Sequence, residues 1–198
     1  VEQAIAEIKM SAVIQPNLAG NDSQAPQILD LCAGSGCIGV AVAKYIPAAQ
    51  VDFAELSKRL LPTIEKNCHK NEIDQVRYNV YHSNLFQGIP ETKRYDFILS
   101  NPPYIDPAID RATDSVKSHE PHLALYGGTD GLEVIEQLVA AAAGRLSPSG
   151  QLWIEHEPEQ VNGIAKLAEQ YGFNCASHPD QYDVERYSIL VADLDTKE

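Results

Sequence analysis

The feature that most constrains the fold is a regular alternation of short apolar segments with segments whose apolar residues recur at helical spacing. This pattern is typical of a layered α/β fold with a mostly parallel sheet. We predict seven strands, at residues 27–31, 50–54, 76–81, 95–100, 151–155, 174–178 and 187–192. The last two are joined by a stretch too short for a helical crossover, so they must run antiparallel. The expected sheet is seven-stranded and mostly parallel, and it ends in an antiparallel hairpin.

The segments between the strands predict helices that pack on the sheet, because their apolar residues recur about every 3.6 positions. The faces toward the sheet are expected to carry Ile38, Val42 and Tyr45 after the first strand, and Leu132, Ile135, Val139 and Leu146 near residues 131–146. A third helix near residues 57–71 contains Pro62, which is tolerated only in a first turn. We therefore expect that helix to begin late.

The composition fits one globular domain and disfavours several partners. The 198 residues are 44 % hydrophobic and 22 % charged, enough for a sizeable core. The net charge of −13 repels nucleic-acid backbones and anionic membranes. The longest apolar run, residues 37–43, is far shorter than the roughly 20 residues that span a bilayer, and no secretory n-region precedes one. We expect neither a membrane nor nucleic acid as a direct partner.

Cysteine and histidine spacing predicts no metal site. The cysteines are Cys32, Cys37, Cys68 and Cys175, and none forms a CxxC pair, which fits reduced thiols in a cytosol-like compartment. Cys32 and Cys37 lack a second pair, and His119 and His122 lack a third ligand. We interpret His156 as a structural hydrogen-bonding residue rather than a catalytic base.

A glycine-rich turn in ILDLCAGSGCIGVAVA, between the first strand and the next helix, predicts a site for a nucleotide-like ligand. Gly34, Gly36 and Gly39 satisfy GxGxxG, and Glu55 lies near the right distance for a ribose hydroxyl, which suggests a dinucleotide. Asp30 argues against a pyrophosphate, because a carboxylate there favours a positively charged ligand such as S-adenosylmethionine. The turn by itself leaves both cofactors open, along with a purely structural role.

The fourth strand ends in SNPPYI, whose groups can hold a planar amino group. Asn101 offers a side-chain carbonyl, Pro102 a main-chain carbonyl, Pro103 rigidity and Tyr104 a flat face. Such an amino group occurs on adenine, cytosine, guanine and the glutamine side chain. The plainer alternative is a Pro-Pro turn that leaves a buried strand. The long aperiodic stretch that follows, up to residue 130, starts where open α/β sheets bind ligands, whereas residues 15–26 are interpreted as a connector.

Together, the glycine-rich turn and the NPPY motif resemble those of class I methyltransferases that act on planar nitrogen. Four further stretches resemble the protein-glutamine N5-methyltransferases of the HemK/PrmC type, which modify peptide chain release factors. These stretches are SNLF at 83–86, EPHLALYGGTDGL at 120–132, IEHEPEQ at 154–160 and DVER at 183–186. The resemblance runs from about residue 27 to the end of the chain. It implies a Rossmann-like, class I S-adenosylmethionine-dependent methyltransferase fold and methyl transfer to the side-chain amide of a protein glutamine, expected to be the Gly-Gly-Gln glutamine of release factors.

The resemblance also assigns residues to the site. The residues expected at the cofactor are Asp30, Cys32, Ala33, Gly34, Ser35, Gly36, Glu55, Asn84, Leu85 and Asn101, with Glu55 on the ribose and Asn84 and Leu85 near the adenine. Asn101, Pro102, Pro103 and Tyr104 are expected to grip the glutamine amide, with Asn101 touching both ligands. Cys32 stands where the family commonly has glycine, and Asn84 where it commonly has aspartate. We expect these departures to weaken cofactor binding without abolishing it.

The resemblance also bears on domain organisation. We predict one catalytic domain, with residues 1–26 as a leading helix and linker and residues 27–198 as the core. Family members begin with a helical substrate-recognition domain and a PRxETE segment, which this chain lacks, and the start at Val1 suggests an upstream piece. The expected location is the cytoplasm or an organellar matrix.

Four alternatives stay open. A ribosomal-protein glutamine methyltransferase would look nearly the same. A nucleic-acid N6-adenine methyltransferase shares NPPY but should carry a basic face. A nicotinamide-dependent oxidoreductase shares only the glycine-rich turn, and a non-catalytic cofactor-binding scaffold leaves NPPY without a role.

Overall fold

A computed structural model of the protein describes residues 1–14, 25–106, 108 and 126–192. The chain divides into two compact units, Val1–Leu99 and Ser100–Glu198. The strands form a seven-stranded mixed sheet in the order β3-β2-β1-β4-β5-β7-β6. This is the predicted α/β architecture with seven strands. None of the described helices is long and apolar enough to cross a membrane.

The described part of the first unit contains three helices and four strands, of which β1, β2 and β3 pair in parallel. Its elements are α1 Glu2–Ile14, β1 Gln27–Leu31, α2 Cys37–Tyr45, β2 Gln50–Glu55, α3 Leu61–Lys70, a 3₁₀ turn Gln75–Arg77, β3 Tyr78–His82 and β4 Tyr95–Ser100. β1 pairs in parallel with β2, and β2 with β3. Ile28, Leu29 and Phe53 are fully buried, as continuous apolar strands covered on both faces should be. The predicted late start of the third helix is confirmed, since α3 has Pro62 in its first turn.

Two predictions in the first unit are wrong in detail. Tyr45 does not face the sheet: it is 62 % exposed, and the buried side of α2 carries Gly39, Val40, Val42 and Ala43. β3 begins at Tyr78 rather than residue 76, because Asp74 accepts a hydrogen bond from the Val76 N–H at 3.2 Å and starts a 3₁₀ turn instead. Alternation of apolar residues gave no indication of that local cap.

The second unit holds the antiparallel part of the sheet. Its elements are a 3₁₀ turn Thr129–Gly131, α4 Glu133–Ala142, β5 Leu146–Glu155, a 3₁₀ turn Pro158–Gln160, α5 Val161–Gln170, β6 Phe173–Pro179 and β7 Glu185–Ala192. β7 pairs antiparallel with both β5 and β6, so the predicted terminal hairpin is confirmed. The buried side of α4 carries Ile135, Leu138, Val139 and Ala142.

The prediction that Leu146 lies on the same helical face as Ile135 is wrong. Helix α4 ends at Ala142, and Leu146 is the first residue of β5, which extends five residues ahead of the predicted strand. Gly144 lies in the intervening turn, where glycine commonly ends a helix. Pro148 and Gly150 interrupt the apolar pattern of the strand, so its first half resembles a turn in the sequence.

Candidate functional site

The glycine-rich turn (residues 32–36) joins β1 to α2 through three residues with left-handed backbone. These are Cys32 at φ 60°, Gly34 at φ 57° and Gly36 at φ 78°, the last being the N-cap residue of α2. Glycine adopts this conformation without the steric cost that a Cβ imposes. This cost is a physical reason why the family commonly has glycine where this chain has Cys32. A Cβ added at Gly34 would meet no atom within 4 Å. The turn therefore presents bare backbone to open space, as a ligand site requires.

Gly39 has a different role from the two glycines before it. A Cβ there would collide with the Phe53 ring and lie 3.0 Å from the Asp30 Cβ. Because Gly39 has no Cβ, α2 can pack closely on β1 and β2. The third glycine of the apparent GxGxxG is thus explained by helix packing on the sheet.

Asp30 is fully buried, and its carboxyl group also contributes to the packing of α2 on the sheet. Oδ2 accepts the Gly39 N–H at 2.8 Å, whereas Oδ1 has no hydrogen-bond partner among the described residues. Burial, opposed by the Gly39 hydrogen bond and reinforced by the charge of Glu55, raises the pKa of Asp30 to about 8. At neutral pH such a carboxyl group is mostly protonated. Its predicted contact with the cofactor stays a prediction.

Glu55 ends β2 and is tied to the glycine-rich turn. Its Oε2 accepts the Gly34 N–H at 2.8 Å, and its Oε1 accepts the Ser57 N–H at 2.7 Å. The side chain is 8 % exposed. Since a carboxylate has about four lone-pair sites, each oxygen of Glu55 can accept one more bond, for example from a ribose hydroxyl. Glu55 thus lies against the turn, and its predicted contact with the ribose stays a prediction.

The stretch at residues 83–86 follows β3 and is held beside the end of β2. The Ser83 N–H donates to the Glu55 main-chain carbonyl at 2.9 Å, and the buried Ser83 hydroxyl accepts the Gly88 N–H at 2.8 Å. These bonds leave Asn84 exposed and Leu85 in a left-handed conformation at φ 48°. The structure thus brings Cys32, Ala33, Gly34, Ser35, Gly36, Glu55, Asn84 and Leu85 to the ends of three adjacent parallel strands.

The NPPY segment (residues 101–104) belongs to the second unit and combines an exposed amide with a fixed backbone. Asn101 is exposed, Pro102 is buried, and Pro103 and Tyr104 are half-buried. The Tyr104 hydroxyl donates to Oε1 of Glu155 at 3.4 Å, a long and therefore weak hydrogen bond. Burial, with the neighbouring Glu155 charge, raises the pKa of Tyr104 to about 12, so its hydroxyl stays neutral. The predicted contact of Asn101 with both ligands stays a prediction.

Two glycines of the YGGTDGL stretch lie directly against the carbonyl groups of the NPPY segment. A Cβ at Gly127 would lie 2.6 Å from the Pro103 carbonyl oxygen, and a Cβ at Gly131 would collide with the Tyr104 carbonyl. The Gly127 N–H also donates to the Ile105 carbonyl at 3.0 Å. These contacts explain why a glycine-rich stretch far along the chain accompanies NPPY.

Gln160 is a residue whose role sequence reasoning missed. It is 6 % exposed, and its Nε2 donates to the Tyr104 carbonyl at 2.8 Å and to the Asp130 carbonyl at 3.1 Å. The only sequence signal was its position at the end of the IEHEPEQ stretch. Nothing in the spacing of that stretch indicates a contact with a segment more than fifty residues earlier.

His156 has the structural role predicted for it. Its Nε2 lies 2.8 Å from the buried Ser188 hydroxyl, and its Nδ1 lies 2.9 Å from the Glu157 carbonyl. Burial lowers the pKa of His156, which keeps the ring neutral. Because the Glu157 carbonyl can only accept, Nδ1 donates to it and Nε2 accepts from the Ser188 hydroxyl, and the two bonds hold the ring in place.

Some predictions lie outside the described residues. His119, His122, most of the aperiodic stretch after residue 106, and residues 120–125 of EPHLALYGGTDGL belong to this group. Within the described ranges, no group of three His, Cys, Asp or Glu side chains could hold a metal ion.

Comparison with known proteins places this arrangement in a family. The family model of the methyltransferase small domain matches residues 9–118, more than half of the chain. A ribosomal protein uL3 glutamine methyltransferase of Bordetella pertussis is 35 % identical over 160 residues, which cover 80 % of this chain and 53 % of that protein. A release factor glutamine methyltransferase of Rhodopirellula baltica is 38 % identical over 154 residues, which cover 77 % and 51 %. The chain thus spans about half the length of these relatives.

A solved structure shares the fold. A Thermus thermophilus 16S rRNA methyltransferase in complex with AdoMet and guanosine superimposes with a TM-score of 0.57 at 21 % identity, covering 93 % of this chain and 41 % of that one. The mixed seven-stranded sheet is accordingly that of class I methyltransferases, as the motifs predict. The chain belongs to the methyltransferase small domain family.

Proposed function

We propose that the protein transfers the methyl group of S-adenosylmethionine to the side-chain amide nitrogen of a glutamine in a protein, with the Gly-Gly-Gln glutamine of a peptide chain release factor as substrate. The observation that carries the proposal is the NPPY segment: its exposed Asn101 follows a strand end, the Pro103 carbonyl lies against Gly127, and the Tyr104 carbonyl accepts a hydrogen bond from Gln160. Relatives named for release factor and uL3 glutamine methylation support it.

The residues of the glycine-rich turn fit S-adenosylmethionine. The turn opens to free space at Gly34, and Glu55 keeps acceptor capacity for the two ribose hydroxyls. The exposed Asn84 can accept a hydrogen bond from the adenine amino group through its amide oxygen. Bound there, S-adenosylmethionine would supply an electrophilic methyl group on its sulfonium. The family match and the AdoMet complex of a protein with the same fold support this cofactor.

The NPPY segment supplies what a glutamine amide needs to react. An amide nitrogen is a poor nucleophile, because its lone pair is delocalised into the carbonyl group. Hydrogen bonds from its two protons to the Asn101 side-chain oxygen and the Pro102 carbonyl would favour electron density on nitrogen and orient its lone pair. The Tyr104 ring would hold the amide plane. A strong base is unnecessary, because the proton becomes acidic only as the C–N bond forms and then leaves to solvent.

A protein substrate is favoured over nucleic acid by charge. The chain carries 28 acidic and 15 basic residues, and few basic side chains are available to neutralise phosphates. The uL3 relatives keep ribosomal protein uL3 as a second candidate substrate.

We also propose that residues 27–198 form the catalytic domain, with residues 1–26 as leading helix and linker. The free thiols of the four cysteines favour the cytoplasm or an organellar matrix as its location.

Incubation with labelled S-adenosylmethionine tests the substrate. The acceptors are a release factor containing Gly-Gly-Gln, ribosomal protein uL3 and an adenine-containing oligonucleotide, each offered to the parent chain and to Asn101→Ala. We expect label on the release factor with the parent and a strong reduction with the variant. Label on uL3 alone selects the second candidate, and label on the oligonucleotide alone overturns the proposal.

The choice of cofactor has a separate test. In calorimetric titrations we expect S-adenosylmethionine to bind and NAD to give no heat of binding. Tighter binding of NAD would refute the methyltransferase function altogether.

A further inference from the structure

We propose that Gln160 is a positioning residue for methyl transfer, which acts by fixing the main chain at the end of the NPPY segment. The inference rests on the proposed function, because it concerns the segment that would hold the glutamine amide. Gln160 does not contact reacting atoms in this scheme. Its role is to fix the positions of the Pro102 carbonyl and the Tyr104 ring, which would contact the glutamine amide.

The side-chain amide of Gln160 joins three stretches of the second unit. One nitrogen, Nε2, donates both of its hydrogens, to the carbonyl of Tyr104 at 2.8 Å and to the carbonyl of Asp130 at 3.1 Å. Oε1 accepts the Glu157 N–H at 3.0 Å. Gln160 is 6 % exposed and Tyr104 is half-buried, so loss of this donor would remove from the Tyr104 carbonyl a hydrogen bond that water can replace only in part.

The backbone of Gly127 and Gly131, which carries no Cβ, leaves room for the Gln160 amide beside the NPPY segment. A Cβ at Gly131, which has φ 67°, would collide with the Tyr104 carbonyl and with the Gln160 amide nitrogen. A Cβ at Gly127 would collide with the Gly131 carbonyl and crowd that of Pro103. The bare backbone of this turn therefore lets the Gln160 amide reach the NPPY segment.

The main chain, rather than the tyrosine hydroxyl, is the firm anchor of this segment. The Tyr104 hydroxyl lies 3.4 Å from its Glu155 partner, whereas the Tyr104 carbonyl lies 2.8 Å from Gln160. The second bond is the stronger by distance. It is also only two peptide units from the Pro102 carbonyl proposed to accept an amide proton. Displacement of this anchor would misplace the acceptor for the reacting nitrogen.

Gln160 also has a purely local role, and the two roles use different atoms. Together with Glu157 it forms a capping box at the start of the 3₁₀ turn Pro158–Gln160, for which Oε1 is the acceptor. Glutamate serves equally well in a capping box. Gln160→Glu therefore retains the cap and removes only the two hydrogen bonds donated by Nε2.

The same substitution introduces a titratable signature. In Gln160→Glu a carboxylate oxygen would face the carbonyl oxygens of Tyr104 and Asp130. Burial and these oxygens would raise the pKa of the new carboxyl group above its usual value. Protonation would then restore one donor, so activity relative to the parent should recover as the pH is lowered. A loss caused only by a smaller folded fraction would instead follow the thermal unfolding of the variant at each pH, which is measured alongside.

The test compares Gln160→Glu with Gln170→Glu, which alters an exposed glutamine at the end of α5. In single-turnover methylation at saturating cofactor and about pH 8, we expect a loss of about 10- to 100-fold for Gln160→Glu. Near pH 6 part of that loss should be recovered. Gln170→Glu should follow the parent at both pH values.

Hydrogen exchange of the Gly127 N–H, which donates a hydrogen bond to the Ile105 carbonyl, gives a readout that does not depend on methyltransferase activity. We expect faster exchange in Gln160→Glu at about pH 8 than in the parent or the control. A parent chain that methylates no glutamine would refute the proposed function, and unchanged exchange would refute the anchoring role independently. The positioning role would be overturned if Gln160→Glu methylated at the parental rate at pH 8, or if its loss of rate were the same at both pH values.

Discussion

The carboxyl group of Asp30 shows how burial changes the role that a sequence position suggests. In the sequence, Asp30 is a charge beside a ligand-binding turn. In the structure it is buried behind the turn, bound to the Gly39 N–H, with a pKa raised to about 8. The charge argument for a cationic cofactor therefore shifts to Glu55, whose oxygens lie against the turn itself.

Asp30→Asn should stabilise the protein at alkaline pH. Because the folded-state pKa of Asp30 lies above its unfolded value of 3.8, the folded state binds the extra proton between pH 3.8 and about 8. The free energy of unfolding therefore falls as pH rises through that window and levels off above it. Asparagine stays neutral, so its advantage should reach a few kcal/mol near pH 8.5 and largely vanish near pH 4.

Thermal unfolding at the two pH values measures this difference. Glu169→Gln, an exposed carboxylate in α5, is the control and should change little. An Asp30→Asn variant less stable than the parent at pH 8.5 would show that the ionised carboxylate is needed.

Asn101→Ala and Glu55→Ala should separate substrate chemistry from cofactor affinity. In the proposed mechanism, loss of the Asn101 acceptor removes a contact that strengthens as the C–N bond forms, and such a loss typically costs about 10² to 10³ in turnover. Glu55→Ala removes the proposed ribose contact, which would be similar in ground and transition states, so it should mainly raise the cofactor Kd. Calorimetry and single-turnover methylation measure the two effects. If Asn101→Ala retained the parental rate, the NPPY segment would have only a structural role, as a turn at the end of the strand.

At the scale of elements, sequence periodicity predicted what is local and failed where a contact was remote. β1 and β4 have the predicted bounds, and the terminal hairpin is antiparallel, because apolar runs and a short connection determine these features. Periodicity predicts Tyr45 on the buried face of α2, but that face carries Gly39, because the hydropathy of a glycine does not indicate the close packing it allows. The anchoring of NPPY by Gln160 could not be predicted, because it joins residues brought together only by folding.

Gly127→Ala should impair methylation more than it impairs folding. The added methyl would crowd the Gly131 and Pro103 carbonyl oxygens, so the turn and the NPPY segment must move apart. We expect at least a tenfold fall in single-turnover rate, as for a small displacement of reacting groups. Gly144→Ala is the matched control, because its Cβ would meet only the Ala141 carbonyl, at 3.9 Å. Equal rates for the two variants would mean that close packing against NPPY is unimportant for the reaction.

At the scale of the whole molecule, charge distinguishes a protein substrate from nucleic acid. With a net charge of −13, the chain should show no detectable binding to duplex DNA or RNA at moderate salt, because few phosphate counterions could be released. A gel-shift titration at several salt concentrations measures this. A shifted complex that weakens steeply with salt would favour the nucleic-acid alternative.

The central claim concerns the atom that receives the methyl group. Tandem mass spectrometry of a release factor, after incubation with the protein and S-adenosylmethionine, locates that atom directly. The proposal predicts one added methyl on the side-chain nitrogen of the Gly-Gly-Gln glutamine, and a strongly reduced yield of it when Asn101→Ala replaces the parent. A methyl group on any other residue, or an unmodified glutamine beside a chain that binds the cofactor, would contradict it.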